Sequence, residues 1–490
     1  MKRIKFDFNN LFSTGLGRNN GVTEREIQEK KGDILKAQAH LRKILSSKQA
    51  RVSLGLEWAN LPFQEKKTID SIQSLGNKIC RKYEHVLFLG IGGSYLGLKA
   101  AQDALAPAYY NDFKAQRKKL PRVYFEGNNL DPSTLSAVLK NLNPKKTFVV
   151  VISKSGETTE TKAAFLVVKN WLKQGTGKLF GRQILAITDP KSGSLRREVD
   201  AAQKKDKFSF PSLPLLKGVG GRFSEFNMGL LHLAIIGVQV SDVLNGARQM
   251  ARECRKKEIF QNPALMYALL MNILYERKGK AIAVLMPFSQ ALKSTADWYI
   301  QLLAESLGKK YGRKIRIAPD GSEVWEADRK AVLNAGRTPI SVCGTGDLHS
   351  IQQNNIEGEN NKTITFIKVE NFKQDIRVPK EEDLLGEKLY SKLLSLALEA
   401  TEWALVREQR LNCTIILPEI SPFYWGALLF FFEMACAFEG ELLNINAFDQ
   451  PGVEGYKNYM YYKLGKKGLP LEFAKTIKKF PLIKKKKYII

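Results

Sequence analysis

The sequence predicts an α/β fold: two doubly wound units with mainly parallel sheets, a helical N-terminal cap and a C-terminal helical arm. Three observations carry this expectation. Short runs rich in β-formers, such as "HVLFLG" (85–90) and "TFVVVI" (147–152), are apolar on both faces, as strands covered on both sides must be. Each leads into a polar or glycine-rich loop and then a helical pattern, and strands alternating with helices build a parallel sheet. The same grammar restarts after "LKGVGGRFSEFNMGLLHLAIIGV" (216–238), so the architecture is used twice.

Taken in order, residues 1–75 read as helices with polar loops, the clearest being "TEREIQEKKGDILKAQAHLRKIL" (23–45). The first α/β unit is expected over 76–245. It holds strands at "HVLFLG", "TFVVVI" and "QILAITD" (183–189) and helices at "LKAAQDALA" (98–106) and "TETKAAFLVVKNWL" (159–172). The second is expected over 246–440, with strands at "KAIAVLMPF" (280–288), "PISVCG" (339–344), "TITFIKV" (363–369) and "CTIILPE" (413–419). Between the first two lies the helix "KSTADWYIQLLAESLGKKYG" (293–312), which runs to a glycine stop. The stretch Phe423–Phe438 is the most apolar, but it is too short for a membrane span and carries Glu433 near its middle. A buried helix is expected there, and residues 441–490 form the arm.

Composition narrows the partners. The chain has 77 basic and 49 acidic residues, a formal charge of +28, which suits sugar phosphates, nucleotides, nucleic acid or acidic membranes. The excess is spread along the chain, as it would be on a surface decorated everywhere with lysine. The one dense block, "KKFPLIKKKKYII" (478–490), reads as a solvated end. Five cysteines, far apart and with no C-x-x-C pair, fit a reducing compartment and neither a disulfide framework nor a cysteine-based zinc site. No apolar segment follows the basic "MKRIKFDFNN", so no secretory signal is expected. The expected location is cytoplasmic. The four histidines are sparse and none lies at ligand spacing, so no metal is expected. His40 and His85 read as a surface helix and a strand edge, and His232 as a satisfied core residue.

Two loops draw attention. "GIGGSYLG" (90–97) fails the dinucleotide fingerprint, because Tyr95 or Ser94 stands where a glycine is required. It fails the P-loop rule too, since Leu98 follows its last glycine. A strand end, glycines and a helix N-terminus remain, with the hydroxyl of Ser94. Together they describe either a site for a monophosphate or sugar or a tight turn with no ligand. "SKSGETTET" (153–161) crowds Ser153, Ser155, Thr158 and Thr159 beside Lys154 at the start of a helix. Such hydroxyls serve either as phosphate donors or as helix caps. Both loops fall at the C-terminal ends of strands, where open α/β sheets bind ligands.

With "GGRFS", "QLLAESLGK", "GTGDLHS" and "FDQPGVEGYK", these loops make six segments between Gly90 and Lys457 that resemble, in order, the glucose-6-phosphate isomerase (phosphoglucose isomerase) family. The resemblance implies two sugar-isomerase domains that interconvert glucose 6-phosphate and fructose 6-phosphate without metal or cofactor. It implies that Glu305 is the base moving a proton between C1 and C2 through a cis-enediol, and that His349 and Lys457 open the sugar ring. Arg222 would stabilise the enediolate. Ser153, Lys154, Ser155 and Thr158 would bind the phosphate, and Gly93, Ser94 and Gln301 would contact the substrate. His349 would come from the partner subunit of a homodimer. No nucleic-acid or membrane partner is implied.

The residue types suit this chemistry. A carboxylate can serve two adjacent carbons, an arginine stays charged beside a developing anion, and histidine titrates in a useful range. Gln301 and Glu305, four apart on a helix, share a face. Glu225 and Phe226 in "GRFSEFN" depart from the smaller, uncharged residues expected there. Two other functions fit parts of the pattern: a non-catalytic sugar-phosphate-binding regulator on the same fold, and a nucleic-acid binder that would need a clustered basic face.

Overall fold

The computed structural model describes residues 2–466 and 468–490. They fall into two compact units, Met1–Phe448 and Asp449–Ile490. The larger holds all the strands. In chain order these are Lys5–Asp7 (β1), His85–Leu89 (β2), Arg122–Glu126 (β3), Thr147–Ile152 (β4), Ile184–Thr188 (β5), Ser212–Pro214 (β6), Ile282–Pro287 (β7), Lys309–Ile317 (β8), Glu323–Ala335 (β9), Thr338–Ser341 (β10), Lys362–Asn371 (β11) and Asn412–Glu419 (β12).

Two parallel sheets are built from them. The first has the order β3-β2-β4-β5-β6, every pair parallel, with His85 opposite Thr147 and Leu89 opposite Val151. All residues of β2, β4 and β5 are buried, which is why these strands read as unbroken apolar runs. The chain passes from β3 on one side of β2 to β4 on the other. The loops after β2 and β4 therefore leave the sheet at its switch point, where a crevice opens. The second sheet runs β1-β12-β11-β7-β10, parallel except for β1, which adds antiparallel to β12 at the edge.

Helices join the sheets. The site helix, Lys293–Leu307, follows β7 and packs against Leu96–Leu105, the helix that follows the first glycine loop. The central helix, Pro422–Leu442, is buried continuously from Tyr424 to Gly440 between helices Val240–Glu253 and Pro263–Lys278 and the site helix. Being covered all round, it is apolar on every face apart from the buried Glu433 and Glu439. The smaller unit holds helices Glu454–Lys463 and Leu471–Lys479.

Several expectations are corrected. The N-terminal segment is not wholly helical, since β1 joins the second sheet. The site helix stops at Gly308, one turn before the expected end, because Lys309 folds back to donate to the Glu305 and Ser306 carbonyls and closes the helix. The chain then runs directly into the antiparallel hairpin β8–β9. His40 is no free surface residue. Its ring nitrogens lie 2.6 Å from Glu441 and 2.9 Å from Glu323, and the bond to Glu441 is the main cause raising its pKa. His85 is buried at the start of β2, an interior strand, and not at an edge. His232 is only half satisfied: Nε2 lies 3.2 Å from Gln102 Oε1 while Nδ1 is buried without a partner, and burial lowers its pKa to about 3.

Arg337, just before β10, pairs with Glu439 of the central helix at 2.6 and 2.8 Å, both fully withdrawn from water. Breaking such a pair strands a buried charge, whereas replacing both partners does not. Arg337→Met should therefore lose about 3–5 kcal/mol of stability in urea denaturation. The double variant R337M/E439L should recover most of that loss.

Candidate active site

The first glycine loop is pressed against the turn that carries Arg222. A Cβ on Gly93 would lie 2.0 Å from the Gly221 carbonyl oxygen and 2.9 Å from the Arg222 nitrogen, so no larger residue fits without moving backbone. Gly92 has a φ of +58°, and its Cβ would stand 2.9 Å from Gln301 Nε2. The glycines thus let two backbone turns and the site helix meet at one point. Ser94, half-buried, ends this turn just before the helix Leu96–Leu105.

Arg222 is 1% exposed. Its Nε donates to Ser306 Oγ at 2.7 Å, Nη1 to Glu305 Oε2 at 3.3 Å and Nη2 to the Ala447 carbonyl at 2.6 Å. The other Glu305 oxygen, Oε1, accepts from Gln301 Nε2 at 3.1 Å. The Glu305 side chain is nonetheless 28% exposed, so the carboxylate is both oriented and accessible. Gln301 Oε1 is buried without a donor. The structure therefore brings Gly93, Arg222, Gln301 and Glu305 together.

The second loop leaves β4 beside it. Ser153 is buried, and its Oγ accepts from the Gly156 N–H at 3.0 Å, while Ser155 Oγ accepts from Glu157 N–H at 3.1 Å. Gly156 has a φ of +73°, and its Cβ would meet the Leu195 nitrogen at 2.4 Å. The loop is seated on the turn before helix Ser194–Lys205, where Ser194 N–H donates to the Ser155 carbonyl at 2.8 Å. Lys154 and Ser155 are exposed. Thr158 is the N-cap of Thr159–Thr176 but makes no side-chain capping bond. Its hydroxyl and the first N–H groups of that helix suit an anion.

Two of the expected residues are carried by other elements. His349 is exposed on the single turn Gly346–His349 after β10, and among the described residues it forms no hydrogen bond or ion pair. Lys457 lies in the smaller unit, its Nζ 3.1 Å from Glu454. A cavity of about 480 Å3 between Gln38, Arg51, Arg255 and Phe438 contains none of the candidate residues. Among the described residues no group of three His, Cys, Asp or Glu side chains could hold a metal, and no helix is long and apolar enough to cross a membrane. All five cysteines are free.

Sequence reasoning missed Ser306 and the Ala447 carbonyl as acceptors for Arg222. Ser306 follows Glu305 directly, within the same "QLLAESLGK" segment. A backbone carbonyl leaves no sequence signal. Lys309 could have been found as a cation in the last turn of a helix.

Comparison with solved structures defines the class. A hypothetical protein from Thermus thermophilus matches at a TM-score of 0.77 and 29% identity, covering 94% of this chain and 100% of its own. A glucose-6-phosphate isomerase from Chlamydia trachomatis shares the fold at a TM-score of 0.73 and 22% identity, covering 94% and 90%. The chain shares the α/β fold of that enzyme. The family model for phosphoglucose isomerase matches residues 63–328 and 347–465. The glucose-6-phosphate isomerase of Carboxydothermus hydrogenoformans is 36% identical over 97% of both chains, and that of Fusobacterium nucleatum is 34% identical over 98% and 100%. The chain belongs to the phosphoglucose isomerase family and is an aldose–ketose isomerase.

Gly93→Ala tests whether the crowded loop serves the reaction. The backbone shift it forces should lower kcat/KM about 100-fold in a steady-state isomerase assay, with the circular dichroism spectrum retained. Unchanged kinetics would place the loop outside the reacting site.

Proposed function

We propose that the chain interconverts D-glucose 6-phosphate and D-fructose 6-phosphate through ring opening and a cis-enediol(ate) intermediate. The carrying observation is the Glu305 carboxylate, accessible at one edge and held through each oxygen by Arg222 or Gln301. A base that removes a proton from one carbon and returns it to the next must stay in place while reaching both. Glu305 takes the proton from C2 of the open-chain aldose and delivers it to C1. Negative charge then develops on the enediolate oxygens, where Arg222 provides a cation that needs no rearrangement. Gln301, four residues before Glu305 on the same helix, is assigned to a substrate contact. Gly93 and Ser94 form one wall of the pocket.

The phosphate is assigned to Ser153, Lys154, Ser155 and Thr158, where hydroxyls, a cation and a helix N-terminus converge. Ring opening is assigned to His349 and Lys457. The histidine is exposed on its own chain, which suits donation to the site of a second copy in a homodimer. The activity places the protein in glycolysis and gluconeogenesis. Five free thiols support a cytoplasmic location.

Glu305→Gln keeps the side chain's shape and removes the base. It should lower kcat by roughly 1,000-fold with little change in KM, measured in a coupled assay with glucose 6-phosphate. Wild-type activity in that variant would remove Glu305 from the role of base. If His349 acts across a dimer, mixing E305Q with H349N should restore activity that neither has alone, because one site in each mixed dimer then holds both wild-type residues. No restoration after subunit exchange would place Glu305 and His349 in the same chain's site.

A further inference from the structure

Two carboxyl groups lie in the core, each with at least one oxygen that no donor reaches. Glu225 is 3% exposed and stands three residues after Arg222, and Glu433 is 0% exposed near the middle of the central helix. The two carboxyls are close enough for each to influence the other's ionisation. Glu225 Oε1 accepts from Trp298 Nε1 at 2.7 Å, while Glu225 Oε2 and both oxygens of Glu433 have no N–H or O–H donor on other side chains. Burial pushes Glu225 up to about 8. Burial, with the charge of Glu225, raises Glu433 well above the ordinary carboxylate range. Both shifts favour retention of a proton by the pair.

The position of the pair connects it to the site. Trp298 is on the site helix, one turn before Gln301 and two before Glu305. A Cβ on Gly97 would lie 2.5 Å from Glu225 Cγ, so the helix behind the first glycine loop also closes on this side chain. One side chain thus touches the site helix and the helix after the glycine loop, from the turn that holds Arg222. Packing alone does not call for acids here. Buried polar groups with incomplete partners cost stability, and apolar residues of similar volume are often neutral or stabilising in their place.

We propose that Glu225 is a positioning residue: through the bond from Trp298 and its close packing against Gly97, it fixes the Arg222 turn against the site helix and sets where Arg222 stands relative to Glu305. This rests on the reading of Arg222 as the cation that stabilises the enediolate.

The test uses the full chain with E225L/E433L, E225Q and R222K. E225L/E433L removes both acids and leaves neither stranded. Its thermal midpoint should equal or exceed that of the wild type, while kcat falls about 10-fold or more and KM stays within about 2-fold. E225Q should keep most of the wild-type kcat, because its carboxamide still accepts from Trp298. Wild-type kcat in E225L/E433L overturns the positioning role, as does a kcat in E225Q as low as in the double variant. A double variant that fails to fold also overturns it, since the pair is then structural. R222K separates the two readings. Wild-type kcat in R222K overturns the role of Arg222 and the positioning role with it. A low kcat in R222K beside a wild-type kcat in E225L/E433L overturns positioning alone.

Discussion

The guanidinium of Arg222 is withdrawn almost completely from water, and a buried cation must be surrounded by acceptors. Its acceptors come from separated parts of the chain: the hydroxyl of Ser306, the carboxylate of Glu305 and the carbonyl of Ala447. Satisfying this one charge brings together the turn after the first sheet, the helix of the second sheet and the segment after the central helix. The two sheets need not touch for their ends to cooperate. The site helix is carried by β7 and meets the loop that belongs to β2 and the turn that holds Arg222.

Such convergence leaves little room for side chains. Gly93 has to lack a Cβ because the Gly221 carbonyl occupies that space, and Gly92 because the Gln301 amide does. The glycines that resemble a nucleotide loop therefore answer a steric demand from another part of the chain. Behind them, Gly97 leaves room for Glu225. The same rule acts at each layer, and removing one methyl group's volume admits a polar group that must be correctly placed.

The sheets were legible where burial on both faces leaves continuous apolar runs, as in β2, β4, β7, β11 and β12. The short β6 and the edge strand β1 carry too few residues for a pattern. The hairpin β8–β9 is charged along much of its length. It is tied down by Arg313, which forms a bidentate pair with Glu441 and stacks 4.1 Å from the centre of the Trp325 ring, instead of by an apolar face. Periodicity cannot show that kind of anchoring. At the site, Gln301 and Glu305 were readable as one helix face. Arg222 and Glu305 are 83 residues apart, and only the resemblance of segments joined them before the structure did. The buried acids were visible as residues but not as a pair, because nothing in the chain marks Glu225 and Glu433 as neighbours.

The burial of Arg222 also separates two electrostatic regimes. The chain carries a formal charge of +28, and its many exposed lysines lie in solvent, where dissolved ions screen them within a few ångströms to about a nanometre. Arg222 lies where those ions do not enter. Added salt therefore weakens the long-range pull of the exposed lysines on any anion, while the field of Arg222 on Glu305 and Ser306 is unchanged. Surface and interior charge respond to ionic strength independently, because one cation is enclosed and most of the others are not.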